Sequence, residues 1–182
     1  MTDLLELQKS FIKKHLFPGG IAADYTMGNG YDTLFLSRTV GPRGNVYAFD
    51  IQYAALESTQ KRLKDENAPS NWVLIHGSHS EAHRFIPGKV NAGMFNLGWL
   101  PGSDRSVFTK RETTLPAVRD AIARMAPDGV LTVAVYPGHS EGDAEGRLVS
   151  EYLASLDRRR FMCALFRITN SPSSPYFYII EN

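Results

Sequence analysis

The sequence holds a single cysteine, Cys163, so it has no partner for an intramolecular disulfide and too few thiolates for a cysteine-rich zinc site. No apolar run approaches the roughly 18 to 20 residues that cross a bilayer, and Asp3 and Glu6 stand where an export signal would be basic and then apolar. A cytoplasmic protein with no membrane partner is expected. Neither sign of charge dominates: 20 Lys+Arg against 19 Asp+Glu leave a formal net charge of +1. That balance excludes the all-over basic surface of a protein that coats nucleic acid and confines any such partner to a local patch. Internal repeats, low-complexity tracts and linkers are also missing, and 182 residues suffice for one domain with a sizeable core.

What is present is a strict alternation. Leu4, Leu5, Phe11, Ile12 and Leu16 fall near helical spacing and predict an amphipathic lead-in helix that ends at Pro18-Gly19-Gly20. Strands are expected at Ile21 to Thr26, Val46 to Ile51, Trp72 to His76, Ala92 to Leu97 and Val130 to Tyr136, with helices near 32–40, 52–66, 113–126 and 142–156 between them. This is the signature of βαβ units and a parallel sheet covered on both faces. The final two strands, Phe161 to Thr169 and Tyr176 to Ile180, are separated by only a short Asn/Ser/Pro segment, which permits a hairpin and not a parallel crossover. The expected α/β fold is therefore a seven-stranded, mostly parallel sheet with an antiparallel C-terminal hairpin. That is a Rossmann-like arrangement of the kind found in class I methyltransferases.

The first strand runs through Met27-Gly28-Asn29-Gly30-Tyr31-Asp32-Thr33 into a helix. Glycines there let the backbone bend and a ligand approach closely. A dinucleotide fingerprint asks for a third glycine where Thr33 stands, so close pyrophosphate packing is not supported. Asp24, four residues ahead of Gly28, suits instead a cationic amino group, as in S-adenosyl-L-methionine (SAM). Twenty residues beyond Gly30, Asp50 closes the second strand, where a carboxylate can accept ribose hydroxyls or simply cap the next helix. Ile51 would offer an apolar face to adenine, Gln52 a polar edge, and Ser78 or His79 a cover. His76, His79 and His83 lack companion Asp/Glu ligands, and no metal is expected.

The fourth strand ends in Phe95-Asn96-Leu97-Gly98-Trp99-Leu100-Pro101-Gly102, which resembles the Asn-Pro-Pro-aromatic motif of nitrogen methyltransferases with Leu97-Gly98 in place of the prolines. An amine nucleophile needs acceptors to orient its N–H groups, and an Asn oxygen with a neighbouring carbonyl supplies them. The alternative is an Asn that caps a turn before Gly98. Tyr136 and His139, after the fifth strand, are further candidates to align the amine or take its proton. The segment from Ser103 to Arg111 carries Arg105, Lys110 and Arg111 around Phe108, a pattern suited to phosphates and a stacked base. Arg158-Arg159-Arg160 is a second basic run, placed where it would also complement a helix dipole.

Taken together, Asp24-x-Thr26-Met27-Gly28-Asn29-Gly30-x-Asp32-Thr33, Phe49-Asp50-Ile51-Gln52, Ser78-His79, Phe95-Asn96-Leu97-Gly98-x-Leu100-Pro101-Gly102-x-Asp104 and Tyr136-x-Gly138-His139-x-Glu141-Gly142 resemble the MnmM (YtqB-type) methyltransferase family, also described as rRNA methylases. The likeness runs over almost the whole chain. It implies SAM-dependent methylation of the aminomethyl group of 5-aminomethyl-2-thiouridine at the tRNA wobble position, contact with the anticodon loop, and a homodimer. It also implies cofactor contacts from Asn29, Asp32, Asp50, Gln52 and His79, and Gly28, Gly30, Thr33, Asn96 and Leu97 are further expected cofactor contacts. The family tends to have Asn-Gln ahead of a proline where this chain has Asn170-Ser171-Pro172. The rival expectations are the same chemistry on rRNA or a small amine, and a non-catalytic SAM-binding module that recognises RNA.

Overall fold

The computed structural model describes residues 4–100, 102, 108–138 and 140–182. Its elements follow in the order α1 (Leu4–His15), β1 (Ile21–Asp24), α2 (Tyr31–Val40), β2 (Asn45–Asp50), α3 (Tyr53–Asp65), β3 (Trp72–His76), a short 3-10 helix (His79–Arg84), β4 (Val90–Leu97), α4 (Arg111–Ala123), β5 (Met125–Val135), α5 (Ser140–Ala154), β6 (Met162–Phe166) and β7 (Tyr176–Glu181). One seven-stranded sheet has the order β3-β2-β1-β4-β5-β7-β6. Its first five strands pair in parallel, and β7 runs antiparallel to both β5 and β6. The expected parallel sheet with a terminal hairpin is thus the observed one.

Alternating residues of each strand serve opposite faces, as the pleat requires. Ala22, Val46, Ala92, Met94, Val130 and Ala134 pack beneath α1 and α2, whereas Ala23, Phe95, Leu131, Val133 and Val135 meet α4 and α5. Helix α1 is anchored by fully buried Ile12 and by Gln8, whose amide donates to Thr132 Oγ1 of β5 at 2.7 Å. None of the described helices is long and apolar enough to cross a membrane.

Several boundaries differ from the expected ones for local reasons. Strand β1 stops at Asp24 rather than Thr26, because the Asp24 carboxylate accepts the N–H of Thr26 at 3.2 Å and turns the chain. Strand β5 starts at Met125 rather than Val130, alongside a register shift between Val90 and Ala92 of β4. The 3-10 helix lacks an apolar period to announce it; Ser78 caps it by accepting the N–H of Ser80 at 3.3 Å.

Candidate active site

The sheet reverses its order between β1 and β4, the position where open α/β sheets leave a crevice at their carboxyl ends. A cavity of about 850 Å³ opens there, within the usual range for small-ligand sites. Its walls come from the glycine turn, the ends of β2, β4 and β5, the start of the 3-10 helix, and one side of α1.

On one side, the glycine turn is held from below and behind. Gly28 and Gly30 have φ values of 50° and 79°, and a Cβ on Gly30 would lie 2.9 Å from the Thr59 Cα, so this position takes only glycine. Thr59 Oγ1 donates to the Gly28 carbonyl at 3.0 Å, and Arg62 Nε donates to the Asn29 carbonyl at 2.6 Å. Asp50 joins the turn to β2: its carboxylate accepts the N–H of Gly28 at 3.1 Å and that of Gln52 at 2.9 Å. The α3 N-cap is Gln52 and not Asp50, which instead holds the Gln52 N–H from the turn before the helix and lines the cavity. Burial pushes its carboxyl above the ordinary range, against the lowering effect of those N–H donors.

His79 supplies the opposite wall of this half. Its Nδ1 lies 3.2 Å from the Tyr25 carbonyl, which can only accept, so Nδ1 carries the proton and Nε2 is left as an acceptor. Burial lowers the ring's pKa to about 4, which keeps it neutral near pH 7. Nε2 is buried with no partner among the described residues. Such an orphaned acceptor fits the exocyclic amine of adenine, the Asp50 carboxylate fits ribose hydroxyls, and apolar Ile51 sits beside it on the lining. The donor set thus fits SAM, which Asn29, Asp32, Asp50, Ile51, Gln52, Ser78 and His79, all on the lining, could hold.

The other side presents Asn96, Leu97, Gly98, Trp99, Phe108, Lys110 and Tyr136. The Asn96 N–H donates to Thr26 Oγ1 at 2.7 Å, and its side-chain amide donates to Asp32 Oδ2 at 2.7 Å. Trp99 and Phe108 form an antiparallel bridge, and the Thr109 N–H donates to the Gly98 carbonyl at 2.9 Å, which returns the chain to the cavity rim at Phe108. Two acidic residues of α5 grip that return. Buried Glu145 accepts from the hydroxyls of Thr109 and Thr114, and Glu141 accepts the N–H of Arg111 at 3.1 Å.

Some expected contacts lie elsewhere. Asp24, Gly30 and Thr33 do not line the cavity: Asp24 is fully buried behind the turn, where its two oxygens are taken by the Thr26 N–H and by Thr33 Oγ1 at 2.6 Å. There it shapes the turn through Thr26 and Thr33. Arg111 is also off the lining, turned toward Glu112 and Glu141. Arg105 and His139 lie outside the described residues, and Arg158–Arg160 fall outside the cavity. Conversely, Leu5, Glu6 and Lys9 of α1 and the exposed Tyr31 join the lining without having been expected. For Tyr31 the signal was its place inside the glycine motif.

The family described as "Putative rRNA methylase" matches residues 46–181. The chain belongs to that family. An rRNA methylase structure from Clostridium thermocellum, titled "putative", superposes with a TM-score of 0.96 at 35% identity, covering 100% of this chain and 98% of that one. A methyltransferase from Streptococcus mutans, likewise titled "putative" and described in complex with SAH, reaches 0.90 at 35% identity with 100% and 98% covered. The Arabidopsis thaliana "tRNA (mnm(5)s(2)U34)-methyltransferase, chloroplastic" is 35% identical over 168 residues, which is 86% of this chain. This member of the rRNA methylase family spans 61% of that plant protein's length.

Proposed function

We propose that this SAM-dependent methyltransferase acts on tRNA, methylating the exocyclic amine of 5-aminomethyl-2-thiouridine at the wobble position. The observation that carries the reading is Asn96: it lines the cavity at the end of β4, and its Oδ1 is buried with no partner among the described residues. A buried acceptor left open is costly, about 1–3 kcal/mol, and an incoming N–H donor offsets that cost. The plant relative's name supports tRNA as the nucleic acid.

When bound, SAM supplies a methyl group already activated on a cationic sulfur. The protein's share is position and a neutral nucleophile. An alkylamine with a lysine-like pKa near 10.4 is neutral only about one part in a thousand near pH 7.5, a handicap of roughly 4 kcal/mol. The electron-poor pyrimidine and a neighbouring cation lower that pKa, so a strong protein base is not required. Asn96 Oδ1 orients the amine's N–H and aims its lone pair; Tyr136 of the lining and His139, which lies outside the described residues, pass the departing proton to water. Trp99 and Phe108 flank the base, and Lys110 meets backbone phosphate. A homodimer and the anticodon loop as the bound element belong to the same reading.

The test is methyl-labelled SAM offered with tRNA, rRNA and small alkylamines in parallel. Label in tRNA supports the proposal. Label in rRNA or amines with none in tRNA overturns it.

A further inference from the structure

Asp32 belongs, by the family resemblance, to the cofactor contacts, yet the structure ties it to the nucleophile's side of the cavity. Its Oδ2 accepts the Asn96 side-chain amide at 2.7 Å, and its Oδ1 lies 3.8 Å from Lys9 Nζ of α1. An amide has two ends of opposite polarity, and the one facing Asp32 decides which end remains. With an ionised carboxylate, which can only accept, the NH2 end must face Asp32 and the oxygen is left open. That matches the unpartnered, buried Oδ1. If the amide were reversed, its carbonyl would face a carboxylate and its NH2 would repel an amine's N–H.

We propose that Asp32 is a positioning residue for methyl transfer: it locks the Asn96 amide with its oxygen presented to the target amine, and Lys9 of α1 keeps that lock charged. Lys9 Nζ is also 2.9 Å from Glu6, and the groups facing Asp32 are Asn96 on β4, Lys9 and Glu6 on α1, and Asp24 behind the turn; burial raises the Asp32 carboxyl above the ordinary range, while the Asn96 amide and then Lys9 pull it back down. This inference rests on the proposed amine chemistry.

The decisive experiment is a reciprocal exchange. In D32N the neighbour of Asn96 can donate or accept, so the amide loses its fixed orientation; in N96D two carboxyl groups face each other and share a proton. In the double variant D32N/N96D the amide now at position 32 donates to the carboxylate now at position 96, whose second oxygen is again an open acceptor. At saturating SAM, each single variant is expected to lose about tenfold or more in transfer rate, with the double variant regaining most of it. A double variant no faster than the slower single one overturns the proposal, as does a D32N effect confined to the KM for SAM.

A second readout needs neither tRNA nor SAM. In the apo protein, the 15N-resolved side-chain amide of Asn96, identified by its loss in N96D, should shift with the titration of the Asp32 carboxyl, and K9M should move that titration to higher pH. An Asn96 amide indifferent to Asp32 ionisation overturns the lock. Failure of wild-type protein to methylate tRNA, with this coupling intact, instead indicts the substrate reading.

Discussion

The two halves of the cavity are built on different principles. The cofactor half is made almost entirely of backbone turns braced by short side chains: Asp50 holds the N–H groups of Gly28 and Gln52, and Asp24 holds Thr26 and Thr33. The target half is assembled from distant pieces, with Lys9 reaching Asp32 from α1 and Glu145 reaching Thr109 and Thr114 from α5. Tight local turns need particular residues at fixed spacing, so the first half has a motif. The second half needs only that long-range partners arrive together, and its residues can lie anywhere in the chain. Asn96 stands where the halves meet, bonded to Thr26 and Asp32 on one side and lining the cavity on the other.

That division can be broken from either side. The largest effect on methyl transfer is expected for Asn96→Ala, where a misaimed nucleophile costs about a hundredfold in rate while SAM affinity, read by calorimetry, stays within about threefold. Asp50→Ala should do the reverse. It removes hydrogen bonds to a charged acceptor and weakens SAM binding by roughly 1.5–3 kcal/mol, and saturating cofactor recovers most of the rate. Equal SAM affinity in that variant would leave Asp50 as a turn residue alone.

Glu145→Ala tests the far brace. Two threonine hydroxyls lose a buried acceptor, so thermal unfolding should come at lower temperature by an amount equivalent to about 1–3 kcal/mol. The KM for tRNA should rise while SAM binding holds, because only the return segment at 108–114 is loosened. A SAM affinity that falls with stability would show that the halves are one unit.

Asp24→Asn should touch transfer least and stability's pH dependence most. Complete burial, followed by the charge of Asp32, raises the Asp24 pKa to about 7 from an ordinary 3.8. Between those values the folded chain keeps a proton that the unfolded chain has released, so stability falls as pH rises from about 4 to 7. The Asn variant, with the same shape and no charge, should flatten that decline in denaturant titrations at stepped pH. An unaltered slope would assign it to other groups.

How much was legible follows the same line. Strand β1, its glycine turn and Asp50 could be read because a motif and a period coincide there. The early end of β1 at Asp24 was hidden, because propensity continues through Tyr25 and Thr26 while a side chain's hydrogen bond turns the backbone. Asp24 itself looked like a ligand contact, since spacing gives proximity to the turn but not which way a carboxylate faces. The entry of α1 into the cavity left no local trace. Its lysines look like a solvated face until the sheet brings Lys9 next to Asp32.

Methylation at the wobble position is read most directly by nucleoside mass spectrometry of tRNA carrying wobble 5-aminomethyl-2-thiouridine after incubation with the protein and SAM. A gain of one methyl on that nucleoside is expected, located on the aminomethyl nitrogen by fragmentation. Methyl on a ring atom or a ribose, or an unmodified nucleoside with a preparation that binds SAM, would contradict it.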